Sequence, residues 1–152
     1  MPIRLLPRLD DDVAPFWTGG ERGTLVMWRC QACGYWIHPP SPVCPTCLSR
    51  DIATEALSGQ GVVHSFTVNE QNWNPTMPPP YVIALVELAE QTGLRLMTNI
   101  VNCSAADVSI GLPVRVFFEQ HDDVWIPLFS PHEIAPLSLH DSAGTPKNQG
   151  AP

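Results

Sequence analysis

Basic residues are scarce in this sequence. Its 152 residues include 8 Lys and Arg against 15 Asp and Glu, which gives a formal net charge of −7, and Lys147 is the one lysine. The arginines are scattered along the chain rather than clustered. Nucleic-acid-binding proteins draw much of their affinity from clustered Lys and Arg side chains that face phosphates. The composition therefore argues against a strong nucleic-acid-binding protein.

Long apolar runs are also missing. No stretch approaches the ~20 consecutive apolar residues that a membrane-spanning helix needs. The N-terminus is polar and contains proline, so it lacks the apolar segment of a signal peptide. We therefore expect a cytoplasmic protein. Because thiols stay reduced in that compartment, its cysteines favour metal binding over disulfides.

Sequence motifs for catalysis are lacking as well. The chain has no glycine-rich phosphate loop after a strand, no Gly-x-Ser-x-Gly motif and no His-Glu-x-x-His motif. Glu87 lies in a predicted strand, where we interpret it as a solvent-facing carboxylate rather than a general base. Cys103 is interpreted as a small buried residue, because no Cys-His-Asn arrangement accompanies it. We therefore predict no catalytic residue in this chain.

Four cysteines form the most specific pattern that is present. Cys30 and Cys33 make one Cys-x-x-Cys pair, and Cys44 and Cys47 make a second pair after ten intervening residues. Two such pairs are typical of a site in which four thiolates bind one Zn²⁺ tetrahedrally, with Zn–S bonds of ~2.3 Å. The intervening loop is shorter than the ~15–20 residues of the commonest version. We therefore predict a compact ribbon with one structural zinc ion per chain.

Two other uses of these cysteines stay open. Such pairs also occur in redox-active and disulfide-bonded proteins, and four thiolates also suit iron in a rubredoxin-like site. The spacing favours zinc over both. A ribbon of some twenty residues cannot stabilise itself without its metal, so we expect the metal to contribute to folding.

Aromatic residues crowd the approach to the cysteines. A short helix is predicted at 13–18, capped by Asp10–Asp12 and ended by Gly19 and Gly20. The aromatic side chains either form the core that the ribbon lacks or form an exposed docking surface, since Trp is common at interface hot spots. The second hypothesis predicts a partner interface at Phe16, Trp17, Trp28 and Trp36.

The second half of the chain has the pattern of a β-barrel. Ser104 begins a helix of about two turns, which Gly111 and Pro113 end. Runs of β-branched and aromatic residues predict five strands, at 59–70, 81–90, 94–102, 114–120 and 124–129. Three strands, a short helix and two strands is the order of an OB-fold, a five-stranded Greek-key barrel.

These assignments divide the chain into four parts. We predict an N-terminal segment with a short helix at 1–23, a zinc ribbon at 24–50, an OB-fold barrel at 51–135 and a disordered, polar tail at 136–152. Residues 48–58 are interpreted only as the connection that leads out of the ribbon. The predicted fold class is mainly β: an N-terminal helix and a four-Cys zinc ribbon followed by a five-stranded OB-fold barrel.

Further motifs surround the cysteines and the predicted strands. They are Pro15-Phe16-Trp17-x-Gly19, Gly59-x-Gly61, Pro80-Tyr81 and Ile110-Gly111-x-Pro113. With the two cysteine pairs, they make residues 10–131 resemble a family that joins a rubredoxin-type zinc ribbon to an OB-fold. This family was formerly a domain of unknown function, and its members are found beside thiolase-like enzymes. The Phe-Trp-x-Gly motif that precedes the ribbon, together with the strand order, makes the resemblance more specific than a zinc ribbon alone would.

The resemblance implies a non-catalytic accessory subunit. Such a subunit binds and stabilises a thiolase-like acyl-CoA enzyme, either a thiolase or a retro-aldolase of steroid or fatty acyl-CoA side-chain degradation, and helps to complete its CoA-thioester site. The partner then carries the catalytic residues of a lyase or acyltransferase hetero-oligomer. The family's metal ligands correspond to Cys30, Cys33, Cys44 and Cys47, and no catalytic residue is carried over. The acidic net charge argues against a direct grip on CoA phosphates, so acyl-CoA is expected to bind through the partner.

Two alternatives belong to other functional classes. An OB-fold with a zinc ribbon also suits a single-stranded nucleic-acid-binding module, but the basic groove that such a module needs is not evident here. A free-standing acyltransferase acting through Cys103 would turn over acyl-CoA without a partner, and we do not expect that activity.

Overall fold

The computed structural model describes residues 4–132, which begin with an extended segment and a short helix. Helix α1 spans Ala14–Thr18 and continues as a 3₁₀ helix over Gly19–Arg22. The predicted capping by Asp10–Asp12 is wrong, because Val13 occupies the N-cap position without a side-chain hydrogen bond. The backbone carbonyl of Asp10 instead accepts the N–H groups of Val13 and Ala14, both at 2.9 Å.

The α-helix ends at Thr18 with Gly19 as its C-cap, as predicted, and the chain then continues through Gly19 and Gly20 in the 3₁₀ helix. A Cβ atom at position 20 would overlap the side chains of Phe118 and Trp125, so glycine allows this segment to approach the barrel closely. The turn ends at Gly23, whose φ of 65° is left-handed. No helix within 4–132 combines the length and apolar character of a membrane span.

The cysteine-containing part is built on a three-stranded antiparallel sheet in the order β2-β1-β3. Its strands are β1 at Val26–Cys30, β2 at Trp36–Ile37 and β3 at Ile52–Ala56. The sequence does not predict β3, which lies in the segment interpreted only as a connection. Its small and polar residues resemble a loop until the pairing with β1 is seen.

The rest of the described chain is a closed barrel in the order β4-β5-β6-β8-β7. Its strands are β4 at Gln60–Asn69, β5 at Tyr81–Leu88, β6 at Arg95–Ile100, β7 at Pro113–His121 and β8 at Val124–Pro131. Neighbouring strands are antiparallel except β6 and β8, which pair in parallel at Ile100 and Phe129. This arrangement confirms the predicted five-stranded OB-fold.

The helix between β6 and β7 is shorter than predicted. Ser104 is its N-cap, as expected, and the Ser104 hydroxyl accepts the Ala106 N–H at 3.3 Å. Only Ala105–Asp107 is helical, and it forms a single 3₁₀ turn. Val108 is already extended and its side chain is buried in the barrel core. We attribute the early end to this burial, which draws the chain out of the helical conformation.

The two faces of the ribbon sheet pack differently. On one face, Met27 and Trp36 join the core of the barrel, where they share a cluster with Val86 and Phe129. On the other face lies a second, smaller cluster of buried residues, Cys30, Ile37 and Cys44. The sheet is therefore held to the barrel by one face and presents the cysteines on the other.

The predicted division at residues 1–23, 24–50, 51–135 and 136–152 stays a prediction. β3 pairs with β1 although it follows the boundary predicted at residue 51. The tail predicted at 136–152 lies outside the described residues.

Candidate metal centre

The structure brings together the four cysteines that the sequence singles out. Cys30 is the last residue of β1, Cys33 follows in the turn before β2, and Cys44 and Cys47 lie in the loop that leads to β3. Their four sulfur atoms all lie within 4.8 Å of one another. The Cys30 and Cys47 Sγ atoms are 3.5 Å apart, and those of Cys33 and Cys44 are 3.6 Å apart.

Each cysteine pair sits on a turn of the same design. In the first turn, the Cys30 N–H donates to the Tyr35 carbonyl at 2.9 Å, and the Gly34 N–H donates to the Cys30 carbonyl at 2.8 Å. In the second, the Cys44 N–H donates to the Ser49 carbonyl at 2.9 Å, and the Leu48 N–H donates to the Cys44 carbonyl at 3.0 Å. The two halves of the site are thus related by a repeated backbone motif.

Each turn contains one residue with a left-handed backbone conformation, and the two residues are at equivalent positions. Gly34 has a φ of 77°, and Leu48 has a φ of 63°. Glycine adopts this conformation without strain, whereas leucine does so rarely. The glycine was identifiable from the sequence, but the matching leucine was not.

Backbone N–H groups are directed at the sulfur atoms. The Cys33 N–H is the main reason that the pKa of the Cys30 thiol falls to about 6. Burial raises the pKa of the Cys44 thiol, but the N–H groups of Cys47 and Thr46 outweigh burial and lower it overall. Conversely, the pKa of Cys33 is raised: the Tyr35 N–H lowers it, but desolvation and the neighbouring thiols prevail. A metal ion bound by the four sulfur atoms would stabilise all of them as thiolates, because metal ligation deprotonates a coordinating thiol.

The cluster fits a four-coordinate metal ion. Tetrahedral coordination with Zn–S bonds of ~2.3 Å separates sulfur atoms by ~3.8 Å, close to the separations seen here. Cys30 and Cys44 are buried, while Cys33 and Cys47 are exposed. Four thiolates would complete the coordination of a tetrahedral ion and leave no open position, as in closed metal sites.

His38 lies between the two cysteine pairs in sequence but is not part of the four-sulfur cluster. Its ring stacks on Phe16, with ring centroids 5.5 Å apart. Its Nδ1 atom is buried and has no hydrogen-bond partner among residues 4–132. Burial lowers the pKa of His38, so the ring is held neutral within the packing around α1.

A polar network around Arg29 supports the first turn. The Arg29 guanidinium donates to the Gly34 carbonyl at 3.0 Å and to Glu55 at 2.9 Å, and it lies 5.1 Å from the centre of the Trp36 ring. The pKa of Glu55 is lowered by its hydrogen bond from Gln31 and then by Arg29. The sequence does not reveal this network, because it requires the pairing of β1 with β3.

The predicted aromatic interface divides into two groups. Phe16 and Trp36 are buried within this chain, which favours the explanation that they complete the ribbon's core. Trp17 and Trp28 are only partly buried against that core. Phe16 contacts Trp17 edge to face at 4.8 Å and stacks on Trp28 at 6.4 Å. An interface role for Trp17 and Trp28 stays a prediction.

Gln91 joins the ribbon to the barrel, and no sequence signal identifies it. It lies in the turn between β5 and β6. Its side-chain amide hydrogen-bonds the backbone of Trp36 in β2. This contact holds the ribbon against the end of the barrel.

Cys103 does not have the character of a nucleophile. It is partly buried against the barrel core. Burial raises the pKa of its thiol, and the nearby carboxylate of Asp107 raises it further. The thiol therefore stays protonated at neutral pH, which opposes the hypothesis of acyl transfer through Cys103.

Two family models cover most of the described chain. A rubredoxin-like zinc ribbon domain of ChsH2 matches residues 17–53, and the C-terminal OB-fold domain of ChsH2 matches residues 54–119. The two matches adjoin each other and follow the order of ribbon and barrel in the structure.

Curated relatives fall into two kinds. A probable enoyl-CoA hydratase alpha subunit of Thermomonospora curvata is 38% identical over 85% of this chain, and a 3-oxo-4,17-pregnadiene-20-carboxyl-CoA hydratase alpha subunit of Mycobacterium tuberculosis is 35% identical over 84%. This chain spans 40% of the length of each of them. A DUF35 domain-containing scaffold protein of Methanocaldococcus jannaschii is 36% identical over 66% of this chain and 71% of its own length.

A solved structure is similar to most of this chain. It is described as an Ltp2–ChsH2(DUF35) aldolase, and the matching chain is 37% identical with a TM-score of 0.74. The match covers 83% of this chain and 98% of that chain. The similarity therefore includes both the ribbon and the barrel.

Proposed function

Because this chain belongs to the family of ChsH2 and DUF35 proteins, which join a rubredoxin-like zinc ribbon to an OB-fold, we propose that it is a non-catalytic accessory subunit. Its role is to bind and stabilise a thiolase-like acyl-CoA enzyme and to help complete the CoA-thioester site of that enzyme. The observation that carries the proposal is the match, over ribbon and barrel together, to one component of a two-protein aldolase.

The names of the relatives support an assembly. Two of them are alpha subunits of CoA-ester hydratases, and one is a scaffold protein. Each name describes a protein that works together with other chains. The CoA esters in two of these names also support an acyl-CoA substrate for the complex, of steroid or fatty acyl type.

The charge distribution supports binding of the CoA ester through the partner. The chain has a formal net charge of −7. Three of its arginines are occupied by carboxylates: Arg4 by Glu119 at 2.8 Å, Arg29 by Glu55 at 2.9 Å and Arg95 by Glu87 at 3.1 Å. Phosphate binding favours clustered cations, and the arginines of this chain are scattered along its sequence, so contacts with the CoA phosphates are assigned to the partner.

We propose that the four-cysteine site holds one structural Zn²⁺ per chain. Cys30, Cys33, Cys44 and Cys47 would be its ligands. The ion supplies a cross-link between the end of β1 and the loop before β3, and no substrate chemistry is assigned to it. The ribbon's own buried cluster is small, so metal binding contributes directly to its stability.

Co-expression tests the accessory role. The chain would be produced together with a candidate thiolase-like partner, and each protein would also be produced alone. We expect a complex that co-elutes, with acyl-CoA turnover by the complex and little or none by either chain alone. Replacement of all four ligand cysteines by serine should abolish the complex, whereas Cys103→Ser should leave it intact. A thiolase-like protein that is soluble and fully active alone, and never co-purifies with this chain, would refute the proposal.

A further inference from the structure

The two edge strands of the ribbon sheet differ in whether their outward backbone groups have hydrogen-bond partners. The sheet has the order β2-β1-β3, so β2 and β3 are its edges. The edge of a sheet exposes unpaired N–H and C=O groups to which another strand can bind. How each edge is satisfied therefore decides where a further strand can be added.

The β2 edge is closed by a side chain. Trp36 and Arg29 form a non-hydrogen-bonded pair of the antiparallel ladder, so the backbone N–H and carbonyl of Trp36 point away from β1. The N–H and the carbonyl of Trp36 are both taken by the Gln91 amide, at 2.8 and 3.1 Å. Gln91 thus occupies the place of an additional strand, and β2 is not available to one.

The β3 edge is open. The Gln31 N–H donates to the Asp51 carbonyl and the Leu57 N–H donates to the Leu25 carbonyl, so odd-numbered residues of β3 direct their backbone groups at β1. The backbone groups of Ile52, Thr54 and Ala56 therefore face outward. Among residues 4–132, no hydrogen bond is formed with these outward groups.

β3 also lacks the usual protection of an edge strand. Its sequence contains no proline and no lysine, and its pairing with β1 has no bulge. Its single charge, Glu55, is held within the sheet by Arg29 at 2.9 Å and Gln31 at 3.0 Å. The small residues Ala53, Thr54 and Ala56 are exposed. Within β3, an approaching strand therefore meets no proline, lysine or bulge.

A cleft lies beside this open edge. Its volume is about 560 Å³, and its lining includes Val13, Trp28, Pro40, Pro42 and Ile52. Trp28 is opposite Thr54 in the sheet, so Trp28, Ile52 and Thr54 project from the same face. Alternate side chains of an added strand would point to that face and reach the cleft.

The cleft has a cation at its rim. Arg50 belongs to the lining and forms no salt bridge within the described part of the chain. Asp12 lies in the lining as well. An apolar floor with an available guanidinium suits an apolar side chain next to an acidic one.

We propose that the β3 edge and this cleft form a docking site for an extended segment of the partner subunit. The segment adds a fourth strand to the ribbon sheet through the outward backbone groups of Ile52, Thr54 and Ala56. An apolar side chain enters the cleft over Trp28, and an acidic side chain pairs with Arg50. This inference rests on the proposed accessory function, and it assigns the partly exposed Trp28 to the interface. Strand addition of this kind combines main-chain affinity with side-chain specificity.

A second copy of this chain fits the site poorly. Antiparallel pairing of two β3 strands about Thr54 would place Ala56 opposite Ile52, and alanine is too small to fill the cleft. It would also bring together two chains that each carry a formal charge of −7. A nucleic acid or an anionic membrane would need clustered cations that the site lacks. An extended protein segment therefore fits best.

Residue-resolved hydrogen exchange tests the site directly. The wild-type chain would be compared alone and in complex with the thiolase-like partner used in the co-expression test. We expect the amides of Ile52, Thr54 and Ala56 to exchange rapidly in the free chain and at least about tenfold more slowly in the complex, because each gains a hydrogen-bond partner. The Ala53 and Glu55 amides, already bonded to β1, should change little and serve as internal controls.

The outcomes separate this inference from the proposed function. A stable, active complex in which Ile52, Thr54 and Ala56 remain rapidly exchanging would overturn the docking site and leave the accessory role standing. Failure of the wild-type chains to associate would overturn both. Concentration-dependent protection of these amides in the isolated chain would show that a second copy occupies the edge, which also overturns the inference.

Variants provide a second measurement. Thr54→Pro removes an outward N–H without removing a bond to β1 and should weaken the complex about tenfold or more, while Thr54→Val should not. Arg50→Glu should weaken it to a similar degree, and Arg22→Glu, the same charge reversal at an exposed arginine elsewhere, should not. Metal content would first confirm that each ribbon is folded. Wild-type affinity in both Thr54→Pro and Arg50→Glu would contradict the site.

Discussion

The side-chain amide of Gln91 pairs with both backbone polar groups of Trp36. The Trp36 N–H donates to Gln91 Oε1 at 2.8 Å, and Gln91 Nε2 donates to the Trp36 carbonyl at 3.1 Å. The two residues are 55 positions apart in the chain. Through this pair, the turn after β5 acts as a neighbouring strand for β2.

Loss of this pair should loosen the ribbon. Gln91→Ala removes both hydrogen bonds and leaves two partly buried backbone groups unsatisfied, so we expect the free energy of unfolding to fall by about 1–3 kcal/mol. Faster hydrogen exchange of the Trp36 amide should accompany this change. Urea denaturation and exchange measurements would check both effects. Thr92→Ala, at an exposed position next in sequence, is the control, and equal stability of the two variants would contradict the role of Gln91.

The two cysteine turns should respond differently to a change of side chain. Gly34→Ala places a Cβ on a residue in the left-handed conformation, where the Cβ meets no atom closer than 3.5 Å. We therefore expect the free energy of unfolding to fall by about 1 kcal/mol or more, because of backbone strain alone. Leu48→Gly relieves the corresponding backbone strain, but it also increases the conformational entropy of the unfolded chain. We therefore expect the free energy of unfolding to change by no more than about 0.5 kcal/mol. Thermal unfolding of the metal-loaded proteins measures both. A larger loss for Leu48→Gly than for Gly34→Ala would be inconsistent with this account.

Metal removal should unfold the ribbon before the barrel. Metal analysis of the purified chain should give about one zinc ion, since four thiolates saturate a tetrahedral ion. Chelation should increase exchange at the amides of Cys30 and Cys44, because their turns lose the cross-link, while Val86 in β5 stays protected by the barrel core. Replacement of the four cysteines by serine should reproduce the chelated state. Unchanged protection at Cys30 after complete metal loss would show that the turns are stable without it.

Stability should depend on pH through Glu119. This carboxylate accepts hydrogen bonds from Arg4 at 2.8 Å and from His121 at 2.6 Å. Burial raises the pKa of Glu119, but His121 and Arg4 outweigh burial and lower it overall. A lowered pKa means that the stabilisation is present above the ordinary glutamate pKa of ~4.3 and is lost as the pH falls below it.

The comparison of wild type with Glu119→Gln isolates this contribution. We expect the variant to be less stable than the wild type at pH 7 and the difference to shrink as the pH is lowered through about 4. Loss of metal in acid affects both proteins and cancels in the difference. Glu21→Gln, at an exposed position of the 3₁₀ helix, should show no such trend. A difference between wild type and Glu119→Gln that grows toward acid would reverse the expected sign.

Local patterns were sufficient for part of the fold. The two Cys-x-x-Cys pairs predict their own convergence, because each pair needs only a short turn to aim two sulfur atoms at one ion. The barrel strands follow from apolar alternation, as in β5, where Val82, Ala84, Val86 and Leu88 are buried in turn. In both cases the determining residues lie within a few positions of one another.

Short elements were harder to predict. β3 consists of small and polar residues, and its strand conformation is stabilised by pairing with β1, more than twenty positions earlier. The helix after Ser104 ends early because Val108 is buried in the core. The aspartates before α1 carry a capping signal that the backbone carbonyl of Asp10 replaces. Each error lies where a tertiary contact outweighs a local preference.

Local sequence patterns were enough to specify four thiols spaced for one metal ion, a barrel of alternating strands, and an excess of acidic over basic residues. How these parts pack against one another depended on contacts between residues far apart in the chain. The tertiary structure placed Phe16 and Trp36 in the core, closed one edge of the ribbon sheet with Gln91 and left the other edge open beside Trp28. Residue spacing specifies a local turn. Whether a sheet edge is open or closed depends on which distant residues pack beside it.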